Sequence, residues 1–196
     1  MGKENKALSS IKQNLILALT SPVSDKVREV SLQQLQDPPK HQQIESAIKE
    51  NESLIYECNI TPSKLVGLVD NNGTIAAAII TKLRDSQDVK SYLKELLSMP
   101  ITVQSMEVIN KLVVSIDLPT EFLHMYISNC FTCCENTQQT RLVRLVCVLL
   151  QWAIRNKVIN VKELSNEITT FCARFSKVKE ASTLFRLLVQ QPKQSE

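Results

Sequence analysis

The sequence predicts an all-α protein built from stacked antiparallel helical hairpins. Apolar residues recur at spacings of three and four along most of the chain, which is the period of an amphipathic helix. Proline and Asn-Gly signals separate these segments at short intervals, and short connections favour antiparallel neighbours. Only 3 of 196 residues are glycine, which is few for a strand-and-turn architecture. A superhelical stack and a compact bundle both remain open as arrangements of these helices.

In the N-terminal half, helices are predicted from the apolar spacing and from the residues that end each segment. The predicted helices are Ala7–Leu19, Val23–Leu35, His41–Asn51, Pro62–Asn71, Thr74–Arg84 and Val89–Met99. Thr61 and Pro62 suit the N-cap and the first position of a helix. Asn71-Asn72-Gly73 is a left-handed stop signal, so the segment that contains it is predicted as two helices.

The C-terminal half continues the pattern, with helices predicted at Val103–Ile116, Pro119–Cys130, Thr140–Asn156, Val161–Phe175 and Lys177–Gln190. Between Leu142 and Ile154 only Arg144 and Gln151 are polar, so this helix should be covered on several sides. It is therefore the predicted centre of the fold. The predicted organisation is an N-terminal helical arm (1–52), a helical domain (53–191) and a polar tail (192–196).

The charge of the chain is uneven. Residues 1–137 hold 13 Lys/Arg and 16 Asp/Glu, and residues 138–196 hold 10 and 4, so the two parts carry about −3 and +6. The C-terminal third is thus predicted to present a basic surface, suited to an acidic protein segment or to RNA. Solvated helix faces produce the same composition, which is the alternative interpretation.

The N-terminus lacks the apolar core of a secretory signal, and Lys6 stands where a myristoylation signal needs Ser or Thr. The apolar run within Leu142–Ile154 is too short to cross a bilayer. The sequence therefore predicts an intracellular, soluble protein that does not contact a membrane. Its six cysteines are interpreted as free thiols, because the cytosol is reducing.

One cluster has the residue types of a zinc site: His124, Cys130, Cys133 and Cys134. On a continuous helix the three cysteines share a face, whereas His124 lies about 240° away from Cys130. We therefore interpret these cysteines as small core residues, and predict no metal and no cofactor. With two histidines and neither G-x-S-x-G nor H-E-x-x-H, no enzymatic activity is predicted.

Basic residues frame the central helix and continue beyond it. The guanidinium groups of Arg141 and Arg144 suit carboxylate or phosphate partners, but pairing with glutamates of this chain is the alternative. For Arg155 and Lys157 the alternative is that cations suit a helix C-terminus, and for the basic residues of the last two helices it is a solvated face instead of an RNA or acidic-peptide contact. The candidate internal partners are Glu121, Glu135 and Glu163. The basic residues are Arg141, Arg144, Arg155 and Lys157 around the central helix, and Arg174, Lys177, Lys179 and Arg186 on the last two helices.

Several stretches resemble the C-terminal domain of subunit eleven of the Ccr–Not deadenylase complex, and together they span most of the chain from Leu54 to Leu188. They are ITPSKLVGLVDNN (60–72), SMEVINKL (105–112), DLPTEFLHMYISNC (117–130), RLVRLVCVLLQWAIRNKVINV (141–161) and EASTLFRLL (180–188). Residues 11–22 are similar to the helix that leads into that domain, and residues 23–49 are harder to match.

The resemblance implies a non-catalytic subunit of the machinery that shortens poly(A) tails and represses translation, in the cytoplasm and the nucleus. In that family, a separate N-terminal domain joins subunit ten and docks on the large scaffold subunit. This chain starts just before the C-terminal domain, so scaffold docking is in doubt and a fragment or a truncated relative is expected. The family's C-terminal domain resembles a platform that recruits adaptor proteins.

The expected mechanism is recruitment, in which a partner helix or extended segment lies in a groove between helices. The expected exposed contacts are Tyr126, Arg141, Arg144, Arg155 and Lys157. The competing expectation is direct RNA binding through phosphate contacts of Arg174, Lys177 and Lys179.

Overall fold

The computed structural model describes residues 2–22 and 40–190. These residues form ten α-helices and a 3₁₀ turn, with no strand among them, so the predicted all-α class is confirmed. The predicted helix Val23–Leu35 lies outside the described residues. The helices are α1 (Gly2–Ala18), α2 (Lys40–Glu50), α3 (Ser53–Glu57), α4 (Leu65–Lys82), α5 (Val89–Ser98), α6 (Val103–Ser115), α7 (Thr120–Thr137), α8 (Thr140–Arg155), α9 (Val161–Arg174) and α10 (Lys179–Gln190), and Pro62–Lys64 form the 3₁₀ turn.

The helices group into two compact units. The first comprises Met1–Pro100 and Glu107–Ile116, and the second comprises Ile101–Met106 and Asp117–Glu196. The predicted division into an arm, a domain and a tail stays a prediction. Within the described residues, no helix has the length and apolar character needed to cross a membrane.

In the first unit, α4 packs against α1, α2 and α5. Its apolar residues recur at helical spacing, and eight of them are buried. The short helix α3, which the apolar spacing did not predict, is joined to α1 by an ion pair of 2.5 Å between Lys12 Nζ and Glu57 Oε2. The buried hydroxyl of Tyr92 donates a 2.5 Å hydrogen bond to the carbonyl oxygen of Ile60.

A kink at Asn72 divides α4. The predicted break is confirmed in position, but the predicted left-handed conformation is wrong, because Asn72 has φ −148° and ψ 60° and Gly73 has no positive φ. The Asn72 side chain explains the difference, since its amide donates hydrogen bonds to the carbonyl oxygens of Ala18 and Ser21. The break is therefore stabilised by the end of α1.

At Gly67, five residues before the kink at Asn72, α4 comes close to the backbone at the end of α1. A Cβ atom on Gly67 would lie 2.7 Å from the carbonyl oxygen of Leu19, closer than real Cβ contacts come. Glycine is thus required at this position by the approach of another backbone, not by an unusual φ.

In the second unit, α8 packs against α7 and α10, and α10 packs against α9. Eight residues of α8 are buried. Its predicted place at the centre of the whole fold stays a prediction. The helix is not covered all round, however, because Val148 is 53% exposed and lies on the same face as Arg144. Ring stacking between Phe131 and Phe171, with centroids 4.5 Å apart, joins α7 to α9.

Helix ends in the second unit use polar side chains and left-handed backbone. Gln138 ends α7 with φ 53°, and Lys157 follows α8 with φ 55°. The side chain of Asn160 caps α9 by accepting a 3.1 Å hydrogen bond from the Lys162 amide. Neither of the two C-terminal ends, at Gln138 and Lys157, uses the glycine that most often marks a helix stop.

Candidate functional site

A groove of about 1190 Å³ lies in the first unit, lined by α2, α4 and α6 and by the turn after α4. Two hydrogen bonds define its geometry: Lys82 Nζ donates to the carbonyl oxygen of Lys49 at 2.7 Å, and Lys111 Nζ donates to Thr74 Oγ1. We call the face of α4 that lines the groove its floor, and the lining parts of α2 and α6 its walls.

Small side chains cover the floor. Thr74, Ala77, Ala78 and Thr81 follow one another at spacings of three, one and three, so they share one face of α4. Val114 of α6 also lines the groove and is 69% exposed, which is unusual for a branched apolar side chain. Among the described residues that line the groove, Ala78 and Val114 are the apolar ones that stay at least partly exposed, and we call these two the apolar strip.

Charged residues surround this strip in equal numbers. The four acidic groups are Glu45, Glu52, Asp85 and Glu107, and the four basic groups are Lys49, Lys82, Arg84 and Lys111. Lys82 and Lys111 donate to oxygen atoms of the first unit, as described above, and Arg84 pairs with Asp85 at 3.1 Å. Glu45, Glu52 and Glu107 form no ion pair with the described residues.

Sequence reasoning missed this groove. The run of small residues at 74–81 was a usable signal, because Thr74, Ala77, Ala78 and Thr81 fall on one helix face. The neighbours were not predictable, since 52 residues lie between the end of α2 at Glu50 and the start of α6 at Val103, and the helices meet only in the packed unit.

Tyr126 was expected on the surface, and this expectation is wrong because its side chain is 0% exposed. It belongs to the buried stripe of α7, beside Phe122, whose ring centroid lies 6.2 Å away. Its hydroxyl has no hydrogen-bond partner among the described residues. Desolvation by burial, with Cys130 nearby, raises the pKa of Tyr126 well above its ordinary value.

The four basic residues around α8 are exposed, as expected: Arg141, Arg144, Arg155 and Lys157. Arg144 Nε lies 3.6 Å from Glu180 Oε2, so internal pairing does occur at this position. The partner is on α10, however, and is none of the three glutamates named from the sequence. The other three side chains form no ion pair with the described residues, and their role as partner contacts stays a prediction.

The candidate RNA contacts Arg174, Lys177 and Lys179 are also exposed. Arg174 Nη1 pairs with Glu135 Oε2 at 2.9 Å, which joins α9 to α7. Beside this pair, a crevice of about 370 Å³ lies above the stacked Phe131 and Phe171 rings. Arg174 thus has a structural contact, whereas Lys177 and Lys179 lie free of ion pairs with the described residues.

The histidine and cysteines considered for zinc do not converge. Among the residues that the structure describes, no three His, Cys, Asp or Glu side chains are placed to hold a metal ion. Cys130 and Cys134 are buried, and burial raises the pKa of the Cys134 thiol to about 12. His124 Nε2 instead lies 3.6 Å from Glu163 Oε2.

These features define an all-helical protein with an open groove of peptide size. The family model for CCR4-NOT transcription complex subunit 11 matches residues 69–189. A relative of that name from Dictyostelium discoideum is 43% identical over 150 residues, which cover 74% of this chain and 23% of the relative. The chain belongs to the CCR4-NOT transcription complex subunit 11 family, which confirms the resemblance of the sequence. It spans about a quarter of the length of this curated relative.

Proposed function

We propose that the chain is a non-catalytic part of the CCR4-NOT complex and serves as a protein-interaction platform in mRNA deadenylation, mRNA decay and translational repression. Its proposed locations are the cytoplasm and the nucleus. Membership of the subunit 11 family supports the assignment to the complex. The family resemblance implies that a separate N-terminal domain joins subunit ten and docks on the large scaffold subunit. Recruitment of adaptor proteins is therefore the role proposed for the helices of this chain.

The observation that carries the platform role is the groove on α4. Its volume of about 1190 Å³ exceeds the roughly 300–1,000 Å³ of ordinary small-molecule sites. Its lining combines small side chains with charges on both walls, and none of the described residues that line it is a histidine or a cysteine. A surface of this kind suits a segment of another protein.

The experiment blocks the groove with a bulky side chain, in a full-length protein of this family that carries these helices. Ala78→Trp places an indole in the groove, and Ala173→Trp is the matched control on an exposed position of α9. Each protein is tethered to a reporter mRNA in cells, and the reporter's half-life and the co-purified proteins are measured. We expect Ala78→Trp to lengthen the half-life and to lose an adaptor protein that the control retains. Equal half-lives and equal partners for both variants would contradict the platform role of the groove.

Direct RNA binding is the second candidate function, favoured by two exposed residues, Lys177 between α9 and α10 and Lys179 at the start of α10. Each phosphate contact would release a counterion, so affinity would fall as salt rises. The test is binding of a generic single-stranded RNA across a salt series by the wild type and by Lys177→Glu/Lys179→Glu. RNA binding that is absent, or that the charge reversal leaves unchanged, would exclude this function.

A further inference from the structure

We propose that the exposed face of α8 binds an acidic segment of a partner protein, and that this segment carries an apolar anchor side chain. The inference rests on the proposed platform function, and it adds a second surface, in the second unit, and the chemistry of its ligand. The surface, which we call the α8 stripe, consists of Arg141, Arg144, Val148, Trp152 and Arg155.

The members of the α8 stripe follow one another at spacings of three and four residues, so they lie on one face of the helix. The stripe is about 21 Å long, because each helical residue adds about 1.5 Å. Its three arginines are exposed, Val148 between them is 53% exposed, and Trp152 is half-buried. The α8 stripe therefore has an apolar centre with cations at both ends.

The cations of the stripe are largely unused within the described part of the chain. Arg141 and Arg155 form no ion pair with the described residues. Arg144 lies beside Glu180, but its side chain stays 60% exposed, and a guanidinium group has several N–H donors. The Glu180 Oε2 atom is buried, so it is not presented to a ligand. An incoming carboxylate thus meets guanidinium groups that can still donate hydrogen bonds.

The charge of the second unit also favours a negatively charged ligand. Its described residues hold nine Lys/Arg and six Asp/Glu. Three of those acidic groups, Glu135, Glu163 and Glu167, each contact a side chain across the seam between α7 and α9. Residues 191–196 contain one Lys and one Glu, so they do not alter this balance. Unlike the α4 groove, the α8 stripe is therefore not balanced in charge.

Val148 favours a protein segment over RNA as the ligand. An apolar side chain of a protein can cover Val148 and the exposed part of the Trp152 ring, while flanking carboxylates reach the arginines. Arginine and tryptophan are enriched at the centres of protein interfaces. Single-stranded RNA binds instead through phosphates and through bases stacked on aromatic faces. The stripe offers only one aromatic ring, which is half-buried, and an aliphatic side chain beside it.

The experiment compares three synthetic peptides of about ten residues, which can span about 21 Å because an extended residue adds about 3.3 Å. The test peptide has two central leucines flanked by glutamates. The second peptide replaces the leucines by serines, and the third replaces the glutamates by lysines. Binding to the ¹⁵N-labelled chain is followed by NMR. We expect the test peptide to shift the Val148 amide and the Trp152 indole, and to bind about tenfold or more tightly than either of the others.

Three variants test the source of this preference. Arg141→Glu/Arg155→Glu should weaken binding of the test peptide about tenfold or more, because it replaces attraction by repulsion. Lys90→Glu/Lys94→Glu makes the same change of net charge at exposed positions of α5 and should retain the wild-type affinity. Val148→Ser leaves all charges in place and should abolish the difference between the leucine and serine peptides.

Equal affinities of the wild type for the glutamate and lysine peptides, shifts that avoid the α8 stripe, or equal losses in the two double variants would each overturn the inference. An oligouridine of about ten nucleotides that binds the stripe more tightly than the test peptide would overturn it in favour of RNA. The tethered Ala78→Trp experiment tests the platform role at the α4 groove, so failure of that proposal is distinguishable from failure of peptide binding at the α8 stripe.

Discussion

The side-chain amide of Asn72 donates a 2.6 Å hydrogen bond to the carbonyl oxygen of Ala18, 54 residues earlier in the chain. The same amide donates to the carbonyl oxygen of Ser21 at 2.9 Å. Carbonyls at the end of a helix lack partners within that helix. The kink of α4 and the end of α1 therefore stabilise each other.

We predict that Asn72→Ala destabilises the first unit by about 1–3 kcal/mol, because it leaves two carbonyl oxygens without this donor. The measurement is the free energy of unfolding in urea, together with hydrogen exchange of the α1 amides, which should become faster. Asn71→Ala is the control, since the Asn71 amide bonds only to the carbonyl of Gly67 in its own helix. Equal losses in the two variants would contradict the role assigned to Asn72.

Gly67→Ala should also destabilise the first unit, although alanine ordinarily favours a helix. Its methyl group would lie 2.7 Å from the Leu19 carbonyl oxygen, so α1 or α4 must shift. We expect a loss of about 1–3 kcal/mol, as for other overpacked sites, measured as the free energy of unfolding in urea. The exposed neighbour Asp70→Ala should change this free energy by less than about 0.5 kcal/mol. A stabilised Gly67→Ala variant would show that the close approach does not exist.

Tyr126→Phe should leave the stability of the second unit unchanged or raise it. The substitution removes a buried hydroxyl that has no hydrogen-bond partner among the described residues, and retains the packed ring. Tyr126→Ala should instead cost about 3–5 kcal/mol, as loss of a buried aromatic ring does. Thermal unfolding of the two variants measures the difference. A mild effect of Tyr126→Ala would mean that this side chain is exposed after all.

The stability of the second unit should fall in alkaline solution. Burial raises the pKa of the Cys134 and Cys147 thiols from 9.0 to about 12, so both stay protonated in the fold. The two protonated thiols make their full contribution to the free energy of unfolding below about pH 9. This contribution is lost between pH 9 and 12, because the thiols of the unfolded chain release their protons at a lower pH than those of the folded chain.

The measurement for this prediction is the free energy of unfolding from pH 8 to 11. In Cys134→Ala/Cys147→Ala its decline should be shallower, whereas Cys133→Ala, at a half-buried thiol, should decline as steeply as the wild type. A wild-type free energy that does not change over this range would refute the prediction.

Helix periodicity was sufficient for most of the fold because it depends on local spacing. The apolar run of α8 from Leu142 to Ile154 predicted the helix and the burial of most of its side chains, but not the exposure of Val148. The five residues of α3 (Ser53–Glu57) are too few to establish a period, so this helix was not predicted. Tyr126 lies in the apolar stripe of α7, so the helical spacing of the sequence already predicts a buried position for it and not an exposed one.

The candidate site was much less predictable than the fold. The arginines around α8 are conspicuous in the sequence because they stand in or beside an apolar helix. The groove instead depends on small side chains and on α2 and α6, which reach α4 only through tertiary packing. Likewise, Arg144 pairs with Glu180 of α10, and the spacing of residues along α8 does not predict which glutamate is its partner.

The groove's floor starts at Thr74, two residues after the kink of α4. The direction of that floor is therefore set by one pair of backbone torsions at Asn72. The hydrogen bonds that hold those torsions come from the end of α1, which does not line the groove. A change at the end of α1 would thus alter the direction of the groove floor without replacing any of the described residues that line the groove.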